Sequence, residues 1–406
     1  MSSNSAHPVP ADEATTRRVP KVPLWLLALF TFSGTLAMHI FVPALPYAAD
    51  TLAASKASVQ LTISLYIAGL AIGQLIYGPV SDHFGRRPTL MAGLGLYTIA
   101  GLGAALSPDI GSLIVARLFQ ALGGCAGLVL GRAIVRDTAA TDEAARRLAL
   151  MNLMVAIGPG VAPIIGAALA ATLGWRSILY GLCLLGVVNF LFTWRLLPET
   201  GLTDVRANTR VATLARNYFA LLKSPAFLGY AVGGGCSTTA MYAFIASAPF
   251  IFVHQLHRPV QEVGIYLAVM ISGVWIGSML ASRLMRVVAL HTLLMRGNML
   301  SVASAFTLLA AASTGHLSVV LVVGSMFVLT VGVGIASPAA LTKAISVNKL
   351  VTGSASGLYG FVQMAVGALC TAVVGLGSDP ALAAATVLSV AGVLASLAFA
   401  IASKAR

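Results

Sequence analysis

His39 and Arg117 are the charged or titratable side chains set most deeply in the apolar runs of this 406-residue chain. An ionisable group inside such a run is costly to keep and points by default to function. Histidine titrates near neutral pH, so His39 could take up and release a proton. It could equally stay neutral, bonded to a neighbour or lining a ligand cavity. Arg117 and Gln120 stand together in a later run, a fixed cation near an amide. No Asp or Glu lies clearly inside an apolar run, and Asp82 and Asp137 stand near the ends of theirs. Three possibilities follow: His39 carries a proton, Asp82 and Asp137 carry it, or proton exchange is weak.

A second constellation is the charged, turn-rich stretch Gly78 to Pro88, between two long apolar runs. Charged turns do not lie in hydrocarbon, so the chain must leave one membrane face here and return. Asp82 could accept backbone N–H groups from a nearby helix start, such as that near Gly353 and Ser354, where the macrodipole is positive. Arg86 and Arg87 could grip lipid phosphates or Asp137. Gly78 and Gly85 would allow close helix approach. The bland alternative is that these charges only orient the loop. Pro163 and Gly166 would bend the fifth run and let it pack tightly, although both residues are common in membrane helices.

A binding cavity for small amphipathic molecules should be apolar and aromatic with a few polar groups. Tyr66, Asn152, Tyr242, Phe244, Tyr359 and Gln363 are its candidates, with Gln60, Tyr180 and Asn189 behind them. Each is singly more often a packing residue than a contact. No Gly-x-x-x-x-Gly-Lys-Ser/Thr loop occurs, so ATP is not the expected energy source. No His-Glu-x-x-His, Cys-x-x-Cys or nucleophile-elbow pattern occurs either, so no enzyme, metal or cofactor is expected. Cys125, Cys183, Cys236 and Cys370 are scattered through apolar runs and read as core residues.

Membrane spans must position these groups. The chain is 58% hydrophobic and 9% charged, far from the quarter charged of an average soluble protein. Apolar runs of about 20 residues suit a bilayer core about 30 Å thick. Twelve are read, near 24–47, 58–80, 88–107, 111–135, 149–172, 176–197, 226–253, 262–286, 292–313, 317–341, 352–377 and 381–403. The expected fold is an all-α membrane protein of twelve transmembrane helices in two six-helix bundles. The expected divisions are a cytoplasmic tail at 1–23, a bundle at 24–197, a linker at 198–225 and a bundle at 226–403. The net charge of +13 sits in short loops, which argues for orientation and against nucleic-acid binding. With the N-terminus inside, Lys56, Arg176 and Arg258 fall outside and Arg117 within a span; every other Lys and Arg is cytoplasmic. Both termini are then cytoplasmic, and no cleaved signal peptide is read.

Several of these motifs resemble those of the major facilitator superfamily. Gly78, Asp82, Gly85, Arg86 and Arg87 match its loop between spans 2 and 3. Arg117-Leu-Phe-Gln120-Ala-Leu-Gly123-Gly124 resembles its span-4 motif, and Ala162-Pro163-Ile-Ile-Gly166-Ala167 its span-5 antiporter motif, which normally ends in two glycines. With Val42-Pro43-Ala44-Leu45-Pro46, Arg132-Ala-Ile-Val-Arg136-Asp137, Gly174-Trp175-Arg176 and Gly353-Ser354-Ala355-Ser356, the chain is similar to Bcr/CflA-type drug exporters. The resemblance implies proton-driven efflux of chloramphenicol- or bicyclomycin-like compounds, by a monomer in the bacterial inner membrane. It implies a cytoplasmic gate built on Asp82. An importer or metabolite exchanger of the same superfamily is the alternative. One departure bears on coupling, since His39 stands where the group usually has an Asp.

Overall fold

The computed structural model describes residues 22–139, 141–201, 211–348 and 351–405. Every regular element among them is helical. Eleven stretches are long and apolar enough to cross a membrane, and Ile157–Leu173 supplies a shorter one within a longer helix. The twelve expected spans are therefore present, and the chain is a multi-pass membrane protein. The tail residues Arg17, Arg18 and Lys21 lie outside the described residues, as do Asp204, Arg206 and Arg210 of the expected linker.

The first span is broken. Helix α1 (Leu24–Ile40) gives way to a single 3₁₀ turn at Val42–Ala44, and α2 (Leu45–Thr51) completes the crossing. Pro43 has no N–H to donate to the carbonyl four residues back, which belongs to His39, and Pro46 repeats the defect at Val42. The chain then runs through α3 (Lys56–Phe84), α4 (Arg86–Ala105), α5 (Ile110–Thr138), α6 (Thr141–Leu173) and α7 (Trp175–Leu196). Short polar caps separate them: Ser55 accepts from the Ser58 N–H at 3.1 Å and Asp109 from the Ser112 N–H at 2.9 Å. These side chains satisfy helix-start donors left without intrahelical partners.

Helix α8 (Val211–Leu222) lies in the stretch expected as a linker. The seventh span is broken like the first, into α9 (Pro225–Thr238), α10 (Met241–Phe250) and a π turn at Ile251–Gln255. Here Thr238 and Thr239 turn their hydroxyls back onto the carbonyls of Gly234 and Gly235, at 2.6 and 2.8 Å, a bonding pattern that loosens a helix. Helices α11 (Val260–Leu284), α12 (Leu290–Ser313), α13 (Val319–Ser346), α14 (Thr352–Gly375) and α15 (Pro380–Lys404) follow.

The first and last six spans meet chiefly where α3 packs on α14 and α6 on α11. On the outer side, Lys56 Nζ donates to the Gly377 and Ser378 carbonyls at 3.1 and 3.2 Å. Gln60 Nε2 donates to Ser247 Oγ at 3.1 Å. Farther in, Gln74 Nε2 reaches the Gly360 carbonyl at 3.3 Å. Broken helices at corresponding places in two halves are where transporters build their sites, and His39 stands at the first such break.

Candidate functional site

Arg117 is fully buried on α5. Its Nη1 donates to Gln120 Oε1 at 2.7 Å and its Nη2 to the Ala37 carbonyl at 2.8 Å. The guanidinium lies over the Tyr66 ring, 4.2 Å from its centre, and 5.1 Å from the centre of Phe41. Tyr66 in turn donates to the Gly34 carbonyl at 2.8 Å. The cation is thus met by neutral acceptors and two aromatic faces, and it ties the fourth span to the first just before its break. Arg117 Nε and Gln120 Nε2 have no partner in this arrangement.

His39 is buried two residues beyond Ala37. Its Nδ1 lies 2.9 Å from the Thr35 carbonyl. A carbonyl can only accept, so Nδ1 carries the hydrogen and Nε2 is left with the lone pair. The ring stands edge-on to Tyr242 of α10, with centres 6.1 Å apart. The breaks of the first and seventh spans therefore meet through two of the predicted residues.

Gly166 fixes the fifth span against this place. A Cβ there would fall 1.9 Å from the Ile40 carbonyl oxygen, so only glycine lets α6 sit beside the residue after His39. The Pro163 carbonyl packs on α11, since a Cβ at Gly264 would come within 2.6 Å of it. Gln363 of α14 donates to Thr238 Oγ1 at 2.7 Å and accepts from Thr239 through its backbone carbonyl at 2.7 Å. It holds the break of the seventh span. Tyr359 is buried beside Gly234 with its hydroxyl unpartnered, and Phe244 is buried. Asn189 is buried and donates to Ser33 Oγ at 2.6 Å. Tyr180 is exposed. Asn152 lies on α6, and its side chain falls outside the described residues.

The loop motif forms a separate charged network on the basic, cytoplasmic face. Arg86 Nη1 meets Asp82 at 2.5 Å and Ser81 Oγ at 2.6 Å, while its Nε meets Asp137 at 2.9 Å. Asp82 is thus paired within its own loop, and Arg86 also reaches Asp137 of α5, one of the two kinds of partner the sequence offered it. Gly85 takes φ +98°, a region open to glycine at little cost. A Cβ there would also strike the Glu199 carboxylate at 2.6 Å. Gly78 differs from expectation: a Cβ there would meet nothing within 4 Å, so close packing does not explain it.

Glu199 was the residue the sequence motif did not reveal. Its carboxylate accepts from the backbone N–H groups of Arg86 and Arg87 at 2.9 and 3.2 Å. A carboxylate at a helix start answers both the unpaired donors and the macrodipole. Its position, just past the end of α7 after a proline, was the available signal. A cleft of about 420 Å³ also opens on this face, lined in part by Pro23, Glu143, Arg146 and Arg147. It is not where the predicted residues gather.

Comparison with known proteins gives a consistent result. The family model of the Major Facilitator Superfamily matches residues 27–371. The chain is 30% identical to an uncharacterised MFS-type transporter, YdgK, of Bacillus subtilis (strain 168), covering 92% of this chain and 94% of that one. It is 26% identical to a bicyclomycin resistance protein homologue of Haemophilus influenzae, over 84% and 86%. It is 36% identical to a chloramphenicol resistance protein of Pseudomonas aeruginosa, over 43% and 42%. Its fold is similar to a crystal structure of a D-xylose–proton symporter, with TM-score 0.74 at 15% identity over 93% and 96%. With the family model spanning most of the chain, this protein belongs to the Major Facilitator Superfamily.

Proposed function

We propose that this protein exports small amphipathic drugs from the bacterial cytoplasm by proton antiport, through alternating access between its first and last six spans. The observation that carries this reading is the meeting of His39 with Tyr242. It places the membrane-embedded imidazole of one half against the other half, at the two helix breaks. A group whose charge changes there would alter the contact on which rocking depends. The relatives named for bicyclomycin and chloramphenicol resistance support the substrate class. In this reading Nε2 of His39 takes the proton, because the Thr35 carbonyl occupies Nδ1–H.

Asp82 has the gating role. Paired with Arg86, it is released when the start of α14 approaches. The Asp82→Asn protein is expected to insert normally and lose export; full drug export by that variant would remove Asp82 from the gate. The function itself is tested by a susceptibility panel of antibiotics and dyes in cells with and without the protein. Raised resistance that an uncoupler abolishes is expected. Unchanged resistance across the panel, or higher intracellular drug, would favour import instead.

A further inference from the structure

Arg132 has no role in the arrangements above. It sits on α5, six residues before that helix ends, or roughly 9 Å from its cytoplasmic end at 1.5 Å per residue. Its side chain is exposed, yet protein surrounds it on nearly every side. A side chain that is both open and enclosed lines a cleft and does not face lipid. The outer side is tied shut by Lys56 and Gln60, so the cleft is reached from the cytoplasm.

Among the described residues its charge is uncompensated. Among the described residues no hydrogen bond or ion pair engages the guanidinium. The charged or titratable groups in electrostatic reach are Arg136, a like charge, and the Cys125 thiol. Asp137, next to Arg136 in sequence, is taken by Arg86. The other embedded cation, Arg117, is satisfied by neutral acceptors. No carboxylate stands deeper than Asp82 and Asp137 in the described spans. A guanidinium enclosed in this way is best met by an anion, with two N–H groups directed at one carboxylate, sulfonate or phosphate. A permanent cation entering the same cleft would find like charge and, among the described residues, no counter-charge.

We propose that Arg132 is a specificity-determining residue, and that the cytoplasmic cleft favours amphipathic molecules bearing an anionic group over lipophilic cations. This rests on the export reading for the transport step but not for binding. The same chemistry could come from an anionic lipid headgroup, and the test separates the two.

Binding is measured by calorimetry on the full chain in phosphatidylcholine nanodiscs, with chloramphenicol succinate as the anionic probe, chloramphenicol as its neutral parent and ethidium as the cation. The succinate is expected to bind about tenfold tighter than ethidium. Arg132→Gln should lower the succinate-to-parent affinity ratio about tenfold, and Arg132→Lys should recover part of it. Nanodiscs containing phosphatidylglycerol should leave that ratio unchanged. Equal affinities for succinate and ethidium, a ratio unmoved by Arg132→Gln, or displacement of the succinate by phosphatidylglycerol would each overturn the proposal. Transport in proteoliposomes then tests the other reading: selective binding without movement of any probe would sink drug export and leave the anion preference standing.

Discussion

Two charged regions of this protein solve the same problem in opposite ways. On the cytoplasmic face, cations are answered by carboxylates: Arg86 bridges Asp82 and Asp137, and Glu199 caps the start of α4. In the membrane interior, Arg117 is answered by an amide oxygen, a backbone carbonyl and two aromatic rings. The difference teaches where charge is free to change. Charges on the face are met by opposite charges and are suited to holding and releasing a loop. Among the described residues the interior holds no acid to share a proton with, so under the proposed antiport a titration event there would fall on His39.

The comparison can be broken most severely at the junction of the first and fifth spans. Gly166→Leu would push α6 off the Ile40 carbonyl; we expect a loss of about 3 kcal/mol, the upper end of the usual cost of overpacking that shifts backbone. Thermal unfolding in detergent would show it, and near-normal melting would mean the two spans are not in register as described. Gly85→Ala combines a backbone conformation essentially reserved for glycine, costing about 1–3 kcal/mol, with displacement of the Glu199 carboxylate. It should lower the melting temperature clearly more than Gly95→Ala, whose added Cβ would have only one neighbour, at 3.8 Å. Glu199→Gln removes the charge but keeps an acceptor, for a loss of about 1 kcal/mol, as for other helix caps. An unchanged melting temperature would show that the cap is idle. The smallest effect should be that of salt. Raising ionic strength from 0.1 to 1 M shortens the screening length from about 10 to about 3 Å, which should weaken the Arg86 network and leave the buried Arg117 cluster unaffected. Equal salt sensitivity of Arg86→Gln and Arg117→Gln proteins would erase the distinction between the regions.

Much of the fold was legible because hydrocarbon is an unforgiving solvent. Runs long enough to cross it, separated by Ser107-Pro108-Asp109 or Gly377-Ser378-Asp379-Pro380, left little choice of helix. Pro43 and Pro46 lie in a stretch read as one unbroken run near 24–47, and their missing N–H groups break it. The second break was harder to read, because Thr238 and Thr239 bend the chain by hydroxyl bonds to Gly234 and Gly235, and threonine is ordinary in a membrane helix. The start of α6 at Thr141, ahead of the expected position near 149, belongs to a polar segment that extends beyond the apolar run. Site residues divided in the same way. His39, Arg117 and Gln120 stood out as costly groups in apolar runs. Their pairing with Ala37 and Tyr242 depends on which spans are neighbours, which periodicity does not state. Glu199 and Arg132 lie near span ends, where charge is common, and only their surroundings single them out.

The most direct measurement is gradient-driven transport in proteoliposomes. Chloramphenicol movement is followed with and without an imposed pH difference, for the unmodified protein and for His39→Ala. The pH difference should accelerate transport by the unmodified protein. In His39→Ala that acceleration should vanish while downhill movement persists. Undiminished pH-driven transport by His39→Ala would contradict the assignment of the proton to His39.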